Sequence, residues 1–302
     1  MNLKLSEVQL GSLELFCLTA ETGSFTAAAT LAALTPAAVS RAVARLEARL
    51  GAKLLLRTTR SMRLTTEGEQ YYLRCRQALN QLNDAEKQLA QEQELPAGLL
   101  RISVPTPYAH YRLLPRLPAF RRLYPEVTLD IHVSNHNVDL TAQGYDLAIR
   151  GNHLPDSGLV ARKLEDAALC VVAAPEYLAQ YGTPTTPEEL KHHECIQFEL
   201  PGSGRLIPWE FMLFGQTVHL DIQGGVVCRD DFLSTLTLAK AGGGLMQVYR
   251  FTVATELAEG KLIEVLTDYD GVTRPFYMLT PYSRYQPSRL KALIQFLVDL
   301  TA

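Results

Sequence analysis

Residues 23–51 of the chain read GSFTAAATLAALTPAAVSRAVARLEARLG. This stretch predicts two short helices joined by a tight turn. Ser24 follows a glycine and can cap the first helix. Thr35 can cap a second helix that begins at Pro36, where the missing N–H costs nothing. Gly51 is typical of the residue that ends such a helix, so the second helix is expected to span residues 36–50.

The second helix has two dissimilar faces. One is an apolar stripe that must face a core, formed by Val39, Val43, Leu46 and Leu50. The other gathers small and basic residues, namely Ala37, Ser40, Arg41, Ala44 and Ala48, flanked by Arg45 and Arg49. Small side chains let the helix axis approach a partner closely, and hydroxyl and guanidinium groups supply donors that suit a DNA major groove. The pattern indicates a recognition helix, within a helix-turn-helix at about residues 25–44. A solvated basic face on an ordinary helix fits the periodicity equally well.

Charge is distributed unevenly along the chain. The 302 residues carry a formal net charge of −3, and the contents of 47% hydrophobic and 20% charged residues are typical of a soluble globular protein of about two domains. Residues 1–65 hold eight Lys or Arg and four Asp or Glu, a net +4, which leaves −7 for the remainder. A basic end on an acidic whole favours a polyanion that is contacted through that end only.

A wing and a long helix are expected after the second helix. Residues 52–65 read as two β-prone pieces around a polar turn, a hairpin that would present Arg57, Arg60 and Arg63 to phosphates. Residues 66–95 predict one long helix with an apolar stripe made of Tyr72, Cys75, Leu79, Leu82, Ala85 and Leu89. Such a stripe favours the same helix of a second copy as its partner, although it could pack on its own chain.

From Leu99 onward short apolar strands alternate with helices, which predicts an α/β fold with parallel sheets covered on both faces. A strand at 276–280 and a helix at 287–300 have no strand neighbour of their own, so we expect them to return to the first of two subdomains. The predicted domains are 1–65 for the winged helix-turn-helix, 66–95 for the linker and dimerisation helix, and 96–302 for the α/β module. Within that module, subdomain I is expected at about 96–166 and 269–302, and subdomain II at about 167–268.

Several other signals point away from catalysis, metals and membranes. Five widely spaced cysteines without a CxxC favour buried thiols in a reducing compartment. We expect no cofactor and a cytoplasmic, membrane-free protein, because neither a signal pattern nor an apolar run of about 18 residues is found.

His132 and His136 have a metal-like spacing, but four residues of strand span roughly 13 Å, so no metal is expected unless the chain turns at Ser134. No Ser, His and acid constellation with an elbow is present, so we expect no enzyme.

These residues carry a family likeness: the chain resembles the LysR-type transcriptional regulators along nearly its full length. The matching motifs are Gly23-Ser-Phe-Thr-x-Ala-Ala, Thr35-Pro-Ala-Ala-Val-Ser-Arg41, Leu46-Glu47, Leu64-Thr-x-x-Gly68 and Asp146-Leu-Ala-Ile-Arg150. The resemblance implies an N-terminal winged helix-turn-helix, a long linker helix and a C-terminal two-subdomain effector-binding module similar to periplasmic binding proteins. Leu55 stands where the family usually has phenylalanine, and Ala33-Leu34 replaces a more polar turn.

The resemblance also implies a ligand-responsive, sequence-specific DNA-binding regulator and its contact residues. DNA contacts are expected from Thr35, Pro36, Ala37, Ser40, Arg41, Arg45, Arg57 and Arg60. Effector contacts are expected from Thr106, Pro107, Tyr108, Asn135, Arg150, Phe198 and Asp231, at the strand ends where helix N-termini expose N–H groups.

Four of these effector positions have a structural alternative. Thr106 could be a helix cap, Asn135 a turn residue, and Arg150 and Asp231 members of ion pairs. Arg150 and the helix N-termini slightly favour an anionic effector.

The expected partners are double-stranded DNA with an interrupted palindromic operator, the small-molecule effector, further copies of the chain in a dimer or tetramer, and RNA polymerase. The alternative function is a small-molecule-binding or catalytic α/β module whose helical appendage does not bind DNA.

Overall fold

The computed structural model describes residues 10–57, 62–89, 95–151, 158–283 and 286–299. The chain divides into two compact units, residues 1–93 with 141–144, and residues 94–140 with 145–302. Arg60 and the predicted end of the long helix, residues 90–95, fall outside the described residues except for Leu95. The side chain of Arg57 also lies outside them.

The first unit begins with the predicted helices and wing. Its elements are α1 (Leu10–Thr22), α2 (Phe25–Leu31), α3 (Pro36–Leu50), β1 (Leu55–Arg57), β2 (Met62–Leu64) and α4 (Thr66–Leu89). The predicted caps are confirmed, since the hydroxyls of Ser24 and Thr35 accept hydrogen bonds from the backbone N–H groups of Ala27 and Ala38. Gly51 ends α3 with a left-handed φ of 65°. The two strands pair antiparallel as the wing hairpin, with Leu55 opposite Leu64.

The core of this unit lies among α1, α3, the wing and the start of α4. It contains Phe16, Val43, Leu46 and Leu54. Leu50, expected in the apolar stripe, is instead 39% exposed, because it is the last residue of α3 and points beyond this core.

The apolar stripe of α4 is divided between two environments. Cys75 is buried in the core of the first unit, and Tyr72 and Leu79 pack against that core. Leu82, one turn further on, is 48% exposed. The first half of the stripe therefore packs on its own chain, and among its described side chains Leu82 is available to a partner helix. The side chains of Ala85 and Leu89 lie outside the described residues.

From residue 98 onward strands and helices alternate. In chain order they are β3 (Gly98–Val104), α5 (Thr106–Tyr108), α6 (Leu117–Leu123), β4 (Val127–Val133), α7 (Leu140–Gln143), β5 (Leu147–Gly151), β6 (Leu159–Ala173), α8 (Pro175–Tyr181), β7 (Gln197–Glu199), β8 (Trp209–Leu213), β9 (Gln216–Leu220), β10 (Val227–Arg229), α9 (Leu233–Lys240), β11 (Met246–Tyr249), α10 (Ala254–Ala258), β12 (Ile263–Val265), β13 (Thr273–Pro281) and α11 (Ser288–Asp299).

The main sheet of the second unit is mixed, so the expectation of purely parallel sheets is wrong. Its strand order is β11-β6-β13-β5-β3-β4, with β12 also paired to β6. Strand β3 runs parallel to β4 and β5, whereas β13 runs antiparallel to β5 and β6. Strand β13 returns to the strands of the first subdomain as predicted, and it pairs there with β5, with Phe276 opposite Gly151. The long strands β6 and β13 cross between the halves of the sheet, and they produce its antiparallel pairs.

The first half of β6 is missed by the sequence pattern. The apolar sequence pattern indicates a strand only from Leu169 onward, whereas β6 begins at Leu159 and pairs with β13 up to Ala168. Arg162, Lys163 and Asp166 of this half are exposed, so it lacks the apolar run that marks a buried strand.

Within the described residues, no single helix has the length and apolar character to cross a membrane. Helices α2 and α3 have the required length and apolar character only when they are taken together, and this pair is bent by 106°.

Candidate DNA-binding and ligand-binding sites

The predicted DNA-contact residues lie together on the exposed face of α3. Pro36, Ala37, Arg41 and Arg45 are exposed, and Ser40 is half-buried. Thr35 caps the start of this helix, so its hydroxyl already accepts the N–H of Ala38 at 3.2 Å. The helix therefore presents small side chains together with two guanidinium groups on one exposed face. Arg57 belongs to β1 of the adjacent wing.

Glu47 anchors the wing to α3, a role that the sequence pattern did not indicate. Its side chain is 3% exposed, and its Oε1 accepts hydrogen bonds from the backbone N–H groups of Leu54 at 3.0 Å and Leu55 at 3.2 Å. Its Oε2 accepts a hydrogen bond from Lys53 at 2.7 Å. Burial alone would raise the pKa of Glu47, but these hydrogen bonds lower the pKa below its usual value. The carboxylate thus fixes the wing beside α3.

A cavity of about 450 Å³ lies in the second unit, within the size range of small-molecule sites. The loops that follow the parallel strands β3 and β4, the end of β5, and β13 contribute one wall. The opposite wall comes from β7, β8, β9, α9 and β11. The carboxyl ends of parallel strands meet at one edge of a sheet, which is where α/β folds bind ligands.

Arg150 is the most strongly constrained charge in this cavity. It is 9% exposed and donates hydrogen bonds to the carbonyl oxygen of Ile149, to Oγ of Ser103 at 2.7 Å and to the carbonyl oxygen of His136 at 3.1 Å. Burial lowers the pKa of Arg150 to about 10, so the guanidinium stays charged at pH 7. No acidic partner for Arg150 is found among the residues that the structure describes. The ion-pair alternative for Arg150 is therefore wrong.

Asn135 connects two loops at the mouth of the cavity. Its Oδ1 accepts the backbone N–H of Thr106 at 3.0 Å, and its Nδ2 donates both to Oγ1 of Thr106 at 3.0 Å and to the carbonyl oxygen of Asp230 at 2.7 Å. Asn135 lines the cavity, whereas Thr106 is buried behind it. Thr106 is not a helix cap either, since α5 has no side-chain cap. Its hydroxyl instead holds Asn135 in place.

The other predicted effector residues divide into two groups. Pro107 and Phe198 line the cavity. Tyr108 is buried in the core against Phe276, with ring centroids 4.7 Å apart, and burial raises the pKa of its hydroxyl. Asp231 is exposed, and its Oδ1 accepts the N–H of Leu233 at 3.0 Å, at the start of α9. Neither Tyr108 nor Asp231 lines this cavity.

Sequence reasoning missed a second polar group in the wall. It consists of Arg274 on β13, Glu210 on β8 and His219 on β9, and Trp209 lies beside it. These residues come from strands far apart in sequence, so no local motif marks them. Arg274 lies on β13 two residues before Phe276, which is opposite Gly151.

His132 and His136, whose spacing resembles that of metal ligands, were not expected to bind a metal ion. No group of three His, Cys, Asp or Glu side chains suited to a metal ion is found among the described residues. Nδ1 of His132 contacts the hydroxyl of Tyr145, and Nε2 of His136 lies 3.4 Å from Oδ1 of Asp230. The two histidines thus have different neighbours.

Comparison with known proteins identifies two family domains in the chain. The family model for the LysR substrate binding domain matches residues 93–302, and that for the bacterial regulatory helix-turn-helix protein, lysR family, matches residues 10–69. The chain is 36% identical over 293 residues to the HTH-type transcriptional regulator CrgA of Neisseria meningitidis serogroup C, covering 95% of each chain. It is 32% identical over 294 residues to the HTH-type transcriptional activator AaeR of Escherichia coli, covering 96% of this chain and 93% of the relative.

Solved structures agree along the full length. The structure of CrgA from N. meningitidis matches with a TM-score of 0.62 and 35% identity, covering 97% of this chain and 99% of that one. Full-length AphB of Vibrio cholerae matches with a TM-score of 0.61 and 28% identity, covering 98% and 100%. The chain therefore belongs to the LysR family of ligand-responsive, DNA-binding transcriptional regulators.

Proposed function

We propose that the exposed face of α3 reads base edges in the major groove, with Arg41 at its centre and Arg45 toward its edge. The observation that carries this proposal is the combination of exposed small side chains with two exposed guanidinium groups on one capped helix. Small residues let the helix axis lie deep in the groove, and arginine can bind O6 and N7 of guanine through two hydrogen bonds. The wing residues Arg57 and Arg60 would neutralise phosphates beside it.

Two copies of the chain would place two such helices on the half-sites of an interrupted palindrome. Leu82, which is exposed on α4, would supply apolar surface for this dimer. A tetramer assembled from two dimers and a contact with RNA polymerase extend the same proposal. We place the regulator in the cytoplasm, with its DNA, and assign it no catalytic role.

The effector proposed for the cavity is a small anion with an apolar body. A buried guanidinium without a counterion is costly, so a ligand carboxylate that pairs with Arg150 would remove part of that cost. Much of the remaining wall is apolar and includes Phe198, Phe232 and Phe276. Such a wall would bury the body of the ligand while the arginine orients its charged end.

Trp209 gives a direct test of this effector site. It is the single tryptophan of the chain and it lines the cavity, so its fluorescence reports ligand binding. A panel of small aromatic carboxylic acids would be titrated against the full-length protein, and each acid that binds would be tested for its effect on operator affinity. Arg150→Gln should weaken binding of the acids by about tenfold or more, because a hydrogen-bonded charge pair is lost.

The matched control is Arg122→Gln, which removes the same charge from an exposed position of α6. It should leave acid binding unchanged. Failure of every acid to bind the parent protein would contradict the proposed anion site, and so would equal affinities for the parent protein and Arg150→Gln.

A further inference from the structure

The two walls of the cavity are joined by contacts on its solvent side. Nδ2 of Asn135, in the loop after β4, donates to the carbonyl oxygen of Asp230 at 2.7 Å. Beside this bond, Nε2 of His136 lies 3.4 Å from Oδ1 of Asp230. The side chains of His136 and Asp230 are exposed, whereas Arg150 inside the cavity is buried. A ligand that reaches Arg150 from this side must therefore pass the contact between Asn135 and Asp230.

The first half of this contact is held in a single orientation. Oδ1 of Asn135 accepts the backbone N–H of Thr106 at 3.0 Å, and Nδ2 also donates to Oγ1 of Thr106 at 3.0 Å. Both of these bonds lie within one wall, and they direct the second N–H of the amide at Asp230. The oxygen and both N–H groups of the amide are thus used, so the side chain cannot rotate without losing all of these bonds.

The second half of the contact is a strained turn that carries part of the opposite wall. Asp230 has a φ of 61°, and the N–H of Asp231 donates to the carbonyl oxygen of Arg229 at 2.6 Å, which closes a tight three-residue turn of the strained kind. Strain of this sort persists only where the surrounding contacts hold it. Phe232, which lines the cavity, follows the turn directly. Movement of Asp230 away from Asn135 would therefore carry Phe232 with it and open the cavity.

The loop after β4 also holds the arginine of the anion site. The carbonyl oxygen of His136 accepts a hydrogen bond from Nη2 of Arg150 at 3.1 Å. Asn135 and His136 are consecutive, so displacement of this loop would uncover the cavity and would also remove an acceptor from Arg150. Access to the site and the orientation of its charge thus depend on the same loop.

We propose that Asn135 and Asp230 form a latch across the cavity, which must open before a ligand enters or leaves. The inference rests on the anion site proposed above for the class of ligand, but the latch can be tested without any ligand. A latch slows entry and exit alike, because its hydrogen bond is present in the closed cavity and is broken during passage. A side chain that only contacts the ligand would instead slow exit alone.

Acrylamide quenching of Trp209 fluorescence in the full-length protein measures how far the latch closes the cavity. Trp209 is the single tryptophan of the chain, is buried and lines the cavity. Asn135→Ala should raise the quenching constant by a factor of about 2–12, which is the shift that loss of one hydrogen bond gives to an equilibrium between closed and open states.

The matched control is Asn137→Ala, which removes the same side chain two residues further along the loop. Asn137 also lines the cavity, but no hydrogen bond of its amide is found among the residues that the structure describes. Quenching of Trp209 should therefore stay near the parent value. If Asn135→Ala does not fold, Asp230→Gly gives the same test, because glycine adopts a φ of 61° without strain and removes the contact with His136.

Stopped-flow mixing with 3-phenylpropanoate, followed through Trp209, then measures the passage of an acid. Asn135→Ala should raise kon and koff by similar factors, whereas loss of a wall contact alone would raise koff only. Unchanged quenching in Asn135→Ala and Asp230→Gly would overturn the latch and place the entrance elsewhere.

An equal increase in quenching in Asn137→Ala would also overturn the latch, because it would assign the effect to lost bulk, and so would an increase confined to koff. These results leave the anion site standing. Failure of 3-phenylpropanoate and of every other aromatic acid to bind would remove the anion site, whereas the quenching of Trp209 would still decide whether the latch exists.

Discussion

A methyl group built on Gly68 would lie 2.0 Å from the carbonyl oxygen of Leu54. The first turn of α4 therefore packs directly on the backbone that leads into the wing. Thr65 fastens the same junction, because its hydroxyl donates to the carbonyl oxygen of Lys53 at 2.7 Å and accepts the N–H of Gly68 at 2.8 Å. The Leu-Thr-x-x-Gly motif of the sequence thus sets the position of the long helix against the DNA-binding fold.

Gly68→Ala should destabilise the first unit, because the added methyl group meets backbone rather than a flexible side chain. We expect a loss of about 1–3 kcal/mol in the free energy of unfolding, measured with urea. Gly11→Ala is the control, since Gly11 lies in α1 with nothing within 4 Å of an added methyl group. That control should be neutral or slightly stabilising. Equal effects of the two substitutions would show that α4 does not pack on Leu54.

Glu47 makes the stability of the first unit depend on pH. Its pKa is lowered in the folded chain, so its stabilising contribution is present above the unfolded pKa of about 4.3 and is lost as pH falls through the lower folded pKa. Glu47→Gln should cost about 1–3 kcal/mol at pH 7 and should reduce the loss of stability seen on acidification below pH 4. Urea unfolding at pH 7, pH 4 and pH 3 measures both effects. The exposed Glu14→Gln is the control, and a similar response from it would contradict the role given to Glu47.

Asp270 should act in the opposite direction. Burial raises the pKa of Asp270 to about 6, and the hydrogen bond and charge of Glu264 add to this, although Arg250 opposes them. The folded state therefore holds this proton more tightly than the unfolded state. The chain should gain stability as pH falls from above 6 towards 4.

Asp270→Asn should flatten this dependence between pH 4 and pH 6 and raise stability at pH 7.5. Thermal unfolding at pH 4, pH 6 and pH 7.5 measures this pH dependence of stability, with the exposed Asp268→Asn as control. An unchanged pH profile in Asp270→Asn would show that Glu264 and Arg250 leave Asp270 unperturbed.

Local patterns were sufficient for the DNA-binding fold. Capping residues such as Ser24 and Thr35, and helical spacing of Val39, Val43 and Leu46, are short-range signals, and the structure confirms the helices they predict. Leu50 was misassigned because periodicity does not tell where the core ends along a helix.

The residues that line the cavity could not all be predicted, because strands far apart in sequence bring them together. The resemblance to the family placed Arg150 at the effector site, whereas the neighbouring strand β13 lies more than a hundred residues away in sequence. Arg274 and Glu210 therefore carried no signal. Thr106 was predicted to face a ligand because it follows a strand, whereas its hydroxyl is taken by Asn135.

Leu82→Asp tests the proposed dimer surface on α4. Because Leu82 is 48% exposed in the single chain, the charge should barely affect folding but should weaken association when that surface is buried against a second copy. Sedimentation at micromolar concentration should show a lower mass than for the parent protein. Gln81→Asp adds the same charge at a neighbouring exposed position and should have a smaller effect. An unchanged mass for Leu82→Asp would place the dimer contact elsewhere.

The most direct measurement compares Arg41→Ala with the parent protein on selected and random DNA. Genomic fragments recovered by the purified parent protein provide the specific duplex, and affinity is then measured on that duplex and on a random one at several salt concentrations. Arg41→Ala should lose about 1–3 kcal/mol on the selected duplex and little on the random one, with the salt dependence nearly unchanged. Equal losses on both duplexes, with a reduced salt dependence, would assign Arg41 to a phosphate and contradict base reading by the exposed face of α3.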